Sequence, residues 1–252
     1  MRLRREIAKY SMNLDHTLQA ISVAAIPVLF AITLHEVAHG RVALYFGDKT
    51  ALMLGRLSLN PLRHVDPIGT VLVPIALLLM GSPFLFGWAK PVPVDVRNLR
   101  HPKGDMAWVA AAGPVANLLM ACGWTILGGI GAAGLLGHGI VAIWLVKMAE
   151  VGLIANVLLA VFNMLPIPPL DGGRIAVGLL PLPLARQWAR MERAGILIVL
   201  LVVFLLPPLC RQFGYDYDPF RDTLDAVIPW ALRVLFYLSG HGIGAGGEIQ
   251  HA

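Results

Sequence analysis

The sequence predicts an all-α polytopic membrane protein of about five to six transmembrane helices, with short membrane-associated extended segments and one segment able to re-enter the bilayer. Three observations predict it. Of 252 residues, 57% are hydrophobic and 14% charged, with a mean hydropathy of +0.71, more apolar surface than a soluble core of that size buries. The apolar residues fall in long runs separated by short stretches rich in Pro, Gly and Arg. The 20 Lys and Arg residues, which give a net charge of +5, cluster between those runs. That is the distribution of membrane-flanking charge, and with no basic face or nucleic-acid motif it excludes nucleic acid as a partner.

Residues Met1 to Leu18 form a basic tail with Arg2, Arg4, Arg5 and Lys9, suited to an anionic headgroup surface and expected to be retained. The first apolar run, Gln19 to Phe46, spans roughly 40 Å as a helix, enough for one tilted crossing. Pro27 is expected to kink it, and Gly47 and Asp48 end it. From Ala51 to Pro67, ALMLGRLSLNPLRHVDP reads as short extended segments, either an edge that another chain can pair with or an ordinary interfacial loop. Ile68 to Trp88 is long enough to cross, but Pro74, Gly81 and Pro83 interrupt it, so a re-entrant or broken helix is the alternative. Gly87 to Asp105 is a loop at a membrane face, with a short strand expected at Val92 to Val96.

The third run, Met106 to Leu136, opens with small residues, Ala111, Ala112, Gly113 and Ala116, that permit close helix contact. Asn117 among them must point into the bundle, either as a helix-to-helix hydrogen bond or as part of a site. The fourth run, Ile140 to Leu165, carries Asn156 and also Lys147 and Glu150, three apart and expected to pair. It ends in FNMLPIPPLDGGR, Phe162 to Arg174, where Pro166, Pro168 and Pro169 forbid regular helix and Asp171 follows at once. A basic loop with Arg174, Arg186, Arg190 and Arg193 precedes a fifth span, Ala194 to Leu209, and a weaker sixth, Leu224 to Leu238. Ser239 to Ala252 lacks an apolar pattern and is expected to be disordered. Residues 19–238 thus form one domain. Cys122 and Cys210 each sit in or at the end of an apolar run, which supports neither a disulfide nor a thiolate metal site.

The chemistry is concentrated in Thr33 to Gly40, TLHEVAHG. On a helix, His35 and His39 lie on one face a turn apart, where two imidazoles can share a tetrahedral zinc, and Glu36 stands beside them as a base toward water. Three ionisable side chains at membrane depth need a partner strong enough to offset their desolvation. Catalytic zinc takes three protein ligands, so one more donor is required. Val42 and Tyr45 stand where the extended soluble motif would need Gly and His, which excludes that class. Among acids at plausible depth, Asp171 and Glu150 remain, and Asp171 is preferred because it follows a broken backbone whereas Glu150 has Lys147 at hand.

HEVAH in an apolar run, GPVAN near the start of a middle span and FNMLPIPPLDGGR at the end of a later one together resemble the site-2 protease family of intramembrane zinc metalloproteases. The likeness is to small prokaryotic members without a PDZ or CBS domain, runs from about Ile32 to Arg174, and includes GRLSLNP and FGWAKPVPV. It implies one zinc ion held by His35, His39 and Asp171, with Glu36 as general base and Asn117 and Asn163 orienting substrate or stabilising an oxyanion. It also implies hydrolysis of a peptide bond in or near the transmembrane helix of a membrane-protein substrate, in the prokaryotic cytoplasmic membrane. The rivals are a zinc-binding membrane transporter or sensor without protease activity, and a zinc hydrolase of another substrate class.

The resemblance sets one topological condition. Were Ile68 to Trp88 a full crossing, the zinc-motif run and the fourth run would be antiparallel, with His35 and Asp171 toward opposite faces. Either that segment does not simply cross, or the ligands meet near mid-bilayer.

Overall fold

The computed structural model describes residues 2–79, 87–135, 137 and 139–218, with isolated positions at 221–222, 225–226, 229 and 233. The expected sixth span and the C-terminal tail lie essentially outside the described residues.

Long apolar runs became long helices. Helix α1 covers Arg2–Tyr45 and passes through the fully buried Pro27 without interruption, so the basic tail's backbone is continuous with the first span. A single turn, α2 (Thr50–Met53), follows. After a π-helical stretch at Pro67–Leu72 comes α3 (Val73–Leu79), then α4 (Pro102–Ala132) and α5 (Ile140–Asn163). The region read as a basic loop is instead short helix, α6 (Asp171–Leu179) and α7 (Leu182–Arg190). Arg174 lies in the first turn of α6, and Arg186 and Arg190 lie in α7, rather than in a loop. Helices α8 (Glu192–Leu200) and α9 (Leu206–Gln212), joined by a π turn, contain an apolar helix at Leu197–Gln212 where the fifth span was expected. Among the described residues, three helices are long and apolar enough to cross a membrane: Ser22–Tyr45, Pro102–Ala132 and Ile140–Asn163.

These three form the core, and its packing follows membrane logic. The buried positions of α4 and α5 are mostly small or polar, among them Ala110, Gly113, Asn117, Ala121, Thr125, Ala149, Gly152, Asn156 and Ala160. The exposed ones are Leu119, Ile126, Leu127, Ile143 and Ile154. Large side chains gain nothing by leaving lipid for protein, while small ones let backbones approach and polar ones find partners only inside. Cross-helix neighbours give the directions. His35 and His39 of α1 meet Asn117 and Val109 of α4, and Asn117 meets Asn156 of α5. Gly128 lies against Ala149 and Gly131 against Val146, so α4 is antiparallel to α5 as it is to α1. Helices α1 and α5 therefore run the same way.

The segment between α1 and α4 makes that possible. The Trp88 amide donates to Gly69 O at 3.1 Å and Thr70 Oγ1 donates to Trp88 O at 2.8 Å, so the chain returns at residue 88 to the place it left at residue 69. Ile68 to Trp88 does not simply cross. The stretch Ala51 to Pro67 is not extended throughout, since Ala51–Met53 lie in α2 and Pro61–His64 form a 3-10 turn. Residues 56–60 and 87–95 carry no regular secondary structure and form no strand ladder among the described residues, so the short strand at Val92 to Val96 is not formed. Prolines at 91 and 93 deny that edge two of its donors.

A buried carboxylate ties this region to α1. Asp48, just past the helix, is fully buried. Its Oδ1 accepts from Thr50 N at 3.0 Å, from Thr50 Oγ1 and from Asn98 Nδ2 at 3.1 Å, and its Oδ2 accepts from Asp95 N at 2.8 Å. Burial opposes its ionisation, but these bonds to the charged form outweigh it and hold its carboxyl below the usual range.

Candidate metal centre

The HEVAH turn presents both imidazoles to one face of α4. Gly113 is what allows this: a Cβ there would come within 2.4 Å of His39 Nε2 and 2.5 Å of His35 Cε1. One turn to either side on the same helix face, α4 supplies a hydrogen-bond acceptor for each ring. His39 Nδ1 lies 2.7 Å from Val109 O, and His35 Nδ1 lies 2.5 Å from Asn117 Oδ1.

Those partners decide the tautomers. A peptide carbonyl only accepts, so His39 Nδ1 carries a proton. Asn117 directs its Nδ2 at Ala31 O, 3.2 Å away, and at Asn156 Oδ1, 2.9 Å away, which leaves Oδ1 facing His35 as an acceptor. His35 Nδ1 is therefore a donor as well. In the neutral rings both Nε2 atoms then present lone pairs, 3.1 Å apart.

Asp171 completes the group. The proline-broken loop after α5 turns back so that Asp171 opens α6, with Leu170 as the cap residue and no side-chain cap bond. Gly172 and Gly173 serve close approach rather than backbone freedom. Both are helical, and a Cβ on them would meet Met164 O and Pro168 N, each at 2.2 Å. The Asp171 side chain thus reaches past its own helix: Oδ2 lies 3.2 Å from His35 Nε2 and 3.4 Å from His39 Nε2. It is buried and receives no hydrogen bond.

Three acceptor atoms at 3.1, 3.2 and 3.4 Å repel unless a cation lies among them, and a single proton relieves only one contact. Ligand atoms about 2.0–2.1 Å from a tetrahedral zinc stand about 3.3 Å from one another, so the observed edges match such a site. Among the described residues this His, His, Asp set is the group whose donor atoms converge closely enough to hold a metal. Glu150, the alternative third ligand, is exposed on α5 and outside it, and it makes no ion pair with the exposed Lys147.

Glu36 is beside the triad in sequence and does not join it. Its Oε2 accepts from Val92 N at 2.7 Å, which ties Glu36 to the segment 87–95. Asn117, for which the resemblance implies a part in orienting substrate or stabilising an oxyanion, has its carboxamide bonded within the bundle. It is wholly buried and its amide is committed to His35, Ala31 and Asn156, so it supports a histidine as an interhelical bond. Asn163 donates to Leu159 O of its own helix at 3.0 Å and makes no bond to the triad. The sequence did not single out the Val109 carbonyl, the Val92 amide or any task for Asn156. Only Asn156 had a signal there, as a second carboxamide inside an apolar run.

A helical membrane protein in which two histidines and a buried aspartate converge as acceptors is, by fold and site, a membrane metalloprotein with a hydrolase's donor set. The family model described as Peptidase family M50 matches residues 130–206, the part that contains Asp171. YwhC of Bacillus subtilis (strain 168), named a zinc metalloprotease, is 37% identical over 195 residues, covering 77% of this chain and 85% of its own. Rip2 of Mycolicibacterium smegmatis, named likewise, is 32% identical over 191 residues, covering 73% and 67%. Rip2 of Mycobacterium tuberculosis (strain H37Rv) is 30% identical over 223 residues, covering 88% and 76%. No solved structure matches. The chain belongs to peptidase family M50, the site-2 protease family, and is a zinc metalloprotease of that family.

Proposed function

We propose that this chain is an intramembrane endopeptidase that hydrolyses a peptide bond in or near the transmembrane helix of a membrane-protein substrate. One zinc ion is held by His35, His39 and Asp171, with Glu36 as general base, in a single domain over residues 19–238 of a prokaryotic cytoplasmic membrane. The observation that carries this reading is the convergence of His35 Nε2, His39 Nε2 and Asp171 Oδ2, the last of them buried without a hydrogen-bond partner.

Zinc, when bound, supplies Lewis acidity, lowering the pKa of a water toward about 7 and polarising the scissile carbonyl. The chain's own residues do the rest. Val109 O and Asn117 hold the two imidazoles with Nε2 toward the metal. Glu36, one oxygen anchored by Val92 N, keeps the other for taking a proton from the attacking water and returning it to the leaving amine. A helical substrate hides its carbonyls, so it must unwind and pair with an edge. In the 90–94 segment, Lys90 N donates to His64 O, Val92 N is spent on Glu36, and two of the remaining positions are proline. The 56–60 segment, which has no regular secondary structure, is therefore the better pairing edge, and Asn117 and Asn163 remain candidate substrate or oxyanion contacts.

A transporter would spread partial sites along a path, whereas the donors here meet at one point among the described residues. Glu36→Gln should keep one zinc per chain by metal analysis and lower cleavage of a single-span reporter by at least about a thousandfold. Cleavage at the wild-type rate would remove Glu36 from the reaction. Asp171→Ala should lose the zinc, and unchanged stoichiometry would exclude it as a ligand.

A further inference from the structure

We infer that Asn156, on α5, is a positioning residue that acts through Asn117 to set which nitrogen of His35 faces the metal. This rests on the zinc reading above. The two carboxamides are wholly buried and form a chain of one polarity. Its fixed end is the Gly152 carbonyl, which accepts from Asn156 Nδ2 at 2.7 Å. A carbonyl only accepts, so Asn156 must turn its NH2 there and its Oδ1 toward Asn117, where Asn117 Nδ2 donates to it at 2.9 Å. Asn117 then has only Oδ1 left for His35, at 2.5 Å.

Reversing Asn117 would set its Oδ1 against two acceptors, Ala31 O and Asn156 Oδ1, at a wholly buried position. With Asn156 in place that reversal is closed, and Nε2 of His35 stays a metal ligand. Without it only the longer Ala31 contact, at 3.2 Å, still selects the orientation. Rotation of the amide would then offer His35 Nδ1 a donor and favour the tautomer whose proton sits on Nε2. A residue of α5 touching neither metal nor substrate thereby prepares a ligand on α1.

The informative substitution is Asn156→Thr. A threonine hydroxyl can donate to the carbonyl four residues back, as Thr125 Oγ1 does to Ala121 O at 2.9 Å, but it is too short to serve Asn117. Zinc affinity of the purified full chain in detergent would be measured by chelator competition, together with the visible spectrum of the cobalt-substituted protein. Asn156→Thr is expected to weaken zinc about tenfold and shift the cobalt bands. Asn156→Asp, as the neutral acid that burial favours, can donate its O–H to Gly152 O and keep an acceptor toward Asn117, so it is expected to bind within about twofold of wild type. In an Asn117→Asp background, where a carboxylate holds His35 without help, Asn156→Thr should no longer weaken zinc.

Wild-type affinity in Asn156→Thr, equal weakening in both backgrounds, loss of zinc in Asn156→Asp, or failure of Asn156→Thr to fold would each make the residue merely structural and overturn the inference. Absence of zinc binding in the wild-type chain would instead defeat the metalloprotease reading on which it rests.

Discussion

Gly113, Val92 and the two histidines show how single positions govern this site. A methyl group at 113 has nowhere to go, since both rings lie within 2.5 Å of where it would stand. Gly113→Ala should therefore push the imidazoles apart and weaken zinc by at least about tenfold in chelator competition, with helix content by circular dichroism unchanged. Val92 acts through its backbone. Replacing it by proline, between two existing prolines, removes the N–H that holds Glu36 Oε2. A hydrogen bond to a charged group contributes about 1.5–3 kcal/mol, so Val92→Pro should lower kcat roughly tenfold to a hundredfold while leaving zinc content as it was. A drop in zinc instead would mean that the segment shapes the metal site itself.

Among the elements, the returning hairpin and its latch decide whether the ligands can meet. Asp48 joins the end of α1 to the 95–98 turn through bonds that only its ionised form makes in full. Its carboxyl is held below the ordinary value, so its stabilisation is present above the unfolded value of about 4 and is lost as pH falls through the lower folded one. The thermal midpoint in detergent should accordingly drop more steeply on acidification for wild type than for Asp48→Asn. At neutral pH, Asp48→Ala should destabilise by about 2–4 kcal/mol, because it leaves the Thr50 and Asp95 amides unpaired. The hairpin has its own test. Single cysteines at the exposed positions Lys49 and Arg97 should label from the same side of the membrane, and opposite-side labelling would contradict the return at residue 88.

Among the described residues, the core is three helices around small and polar side chains, with His35, His39 and Asp171 converging as acceptors at one point. Chelation should lower the thermal midpoint, and free zinc at about a thousand times its Kd should restore about 4 kcal/mol by mass action. An unchanged midpoint in the stripped protein would mean that the converging acceptors repel less than their spacing implies. Membrane character, the long runs, HEVAH and the preference for Asp171 over Glu150 were all legible in the sequence. All but the last depend on spacing along one helix or on hydropathy summed along one segment, quantities that a linear text carries. The preference for Asp171 rested on the proline-broken backbone and on a Lys147 to Glu150 pair that does not form. Asn117 was legible as a buried amide but not for its task, since the atom it faces is 82 positions away. Asn156, the Val92 amide and the return of residue 88 to residue 69 were not legible, because backbone donors look alike in every sequence and a hairpin's closure is a contact between distant residues. The sequence by itself determined which groups were too polar for their surroundings. Only the tertiary structure decided how they satisfy one another, because hydrogen-bond polarity is settled where helices cross, and there three acceptors were left facing each other with room for a metal.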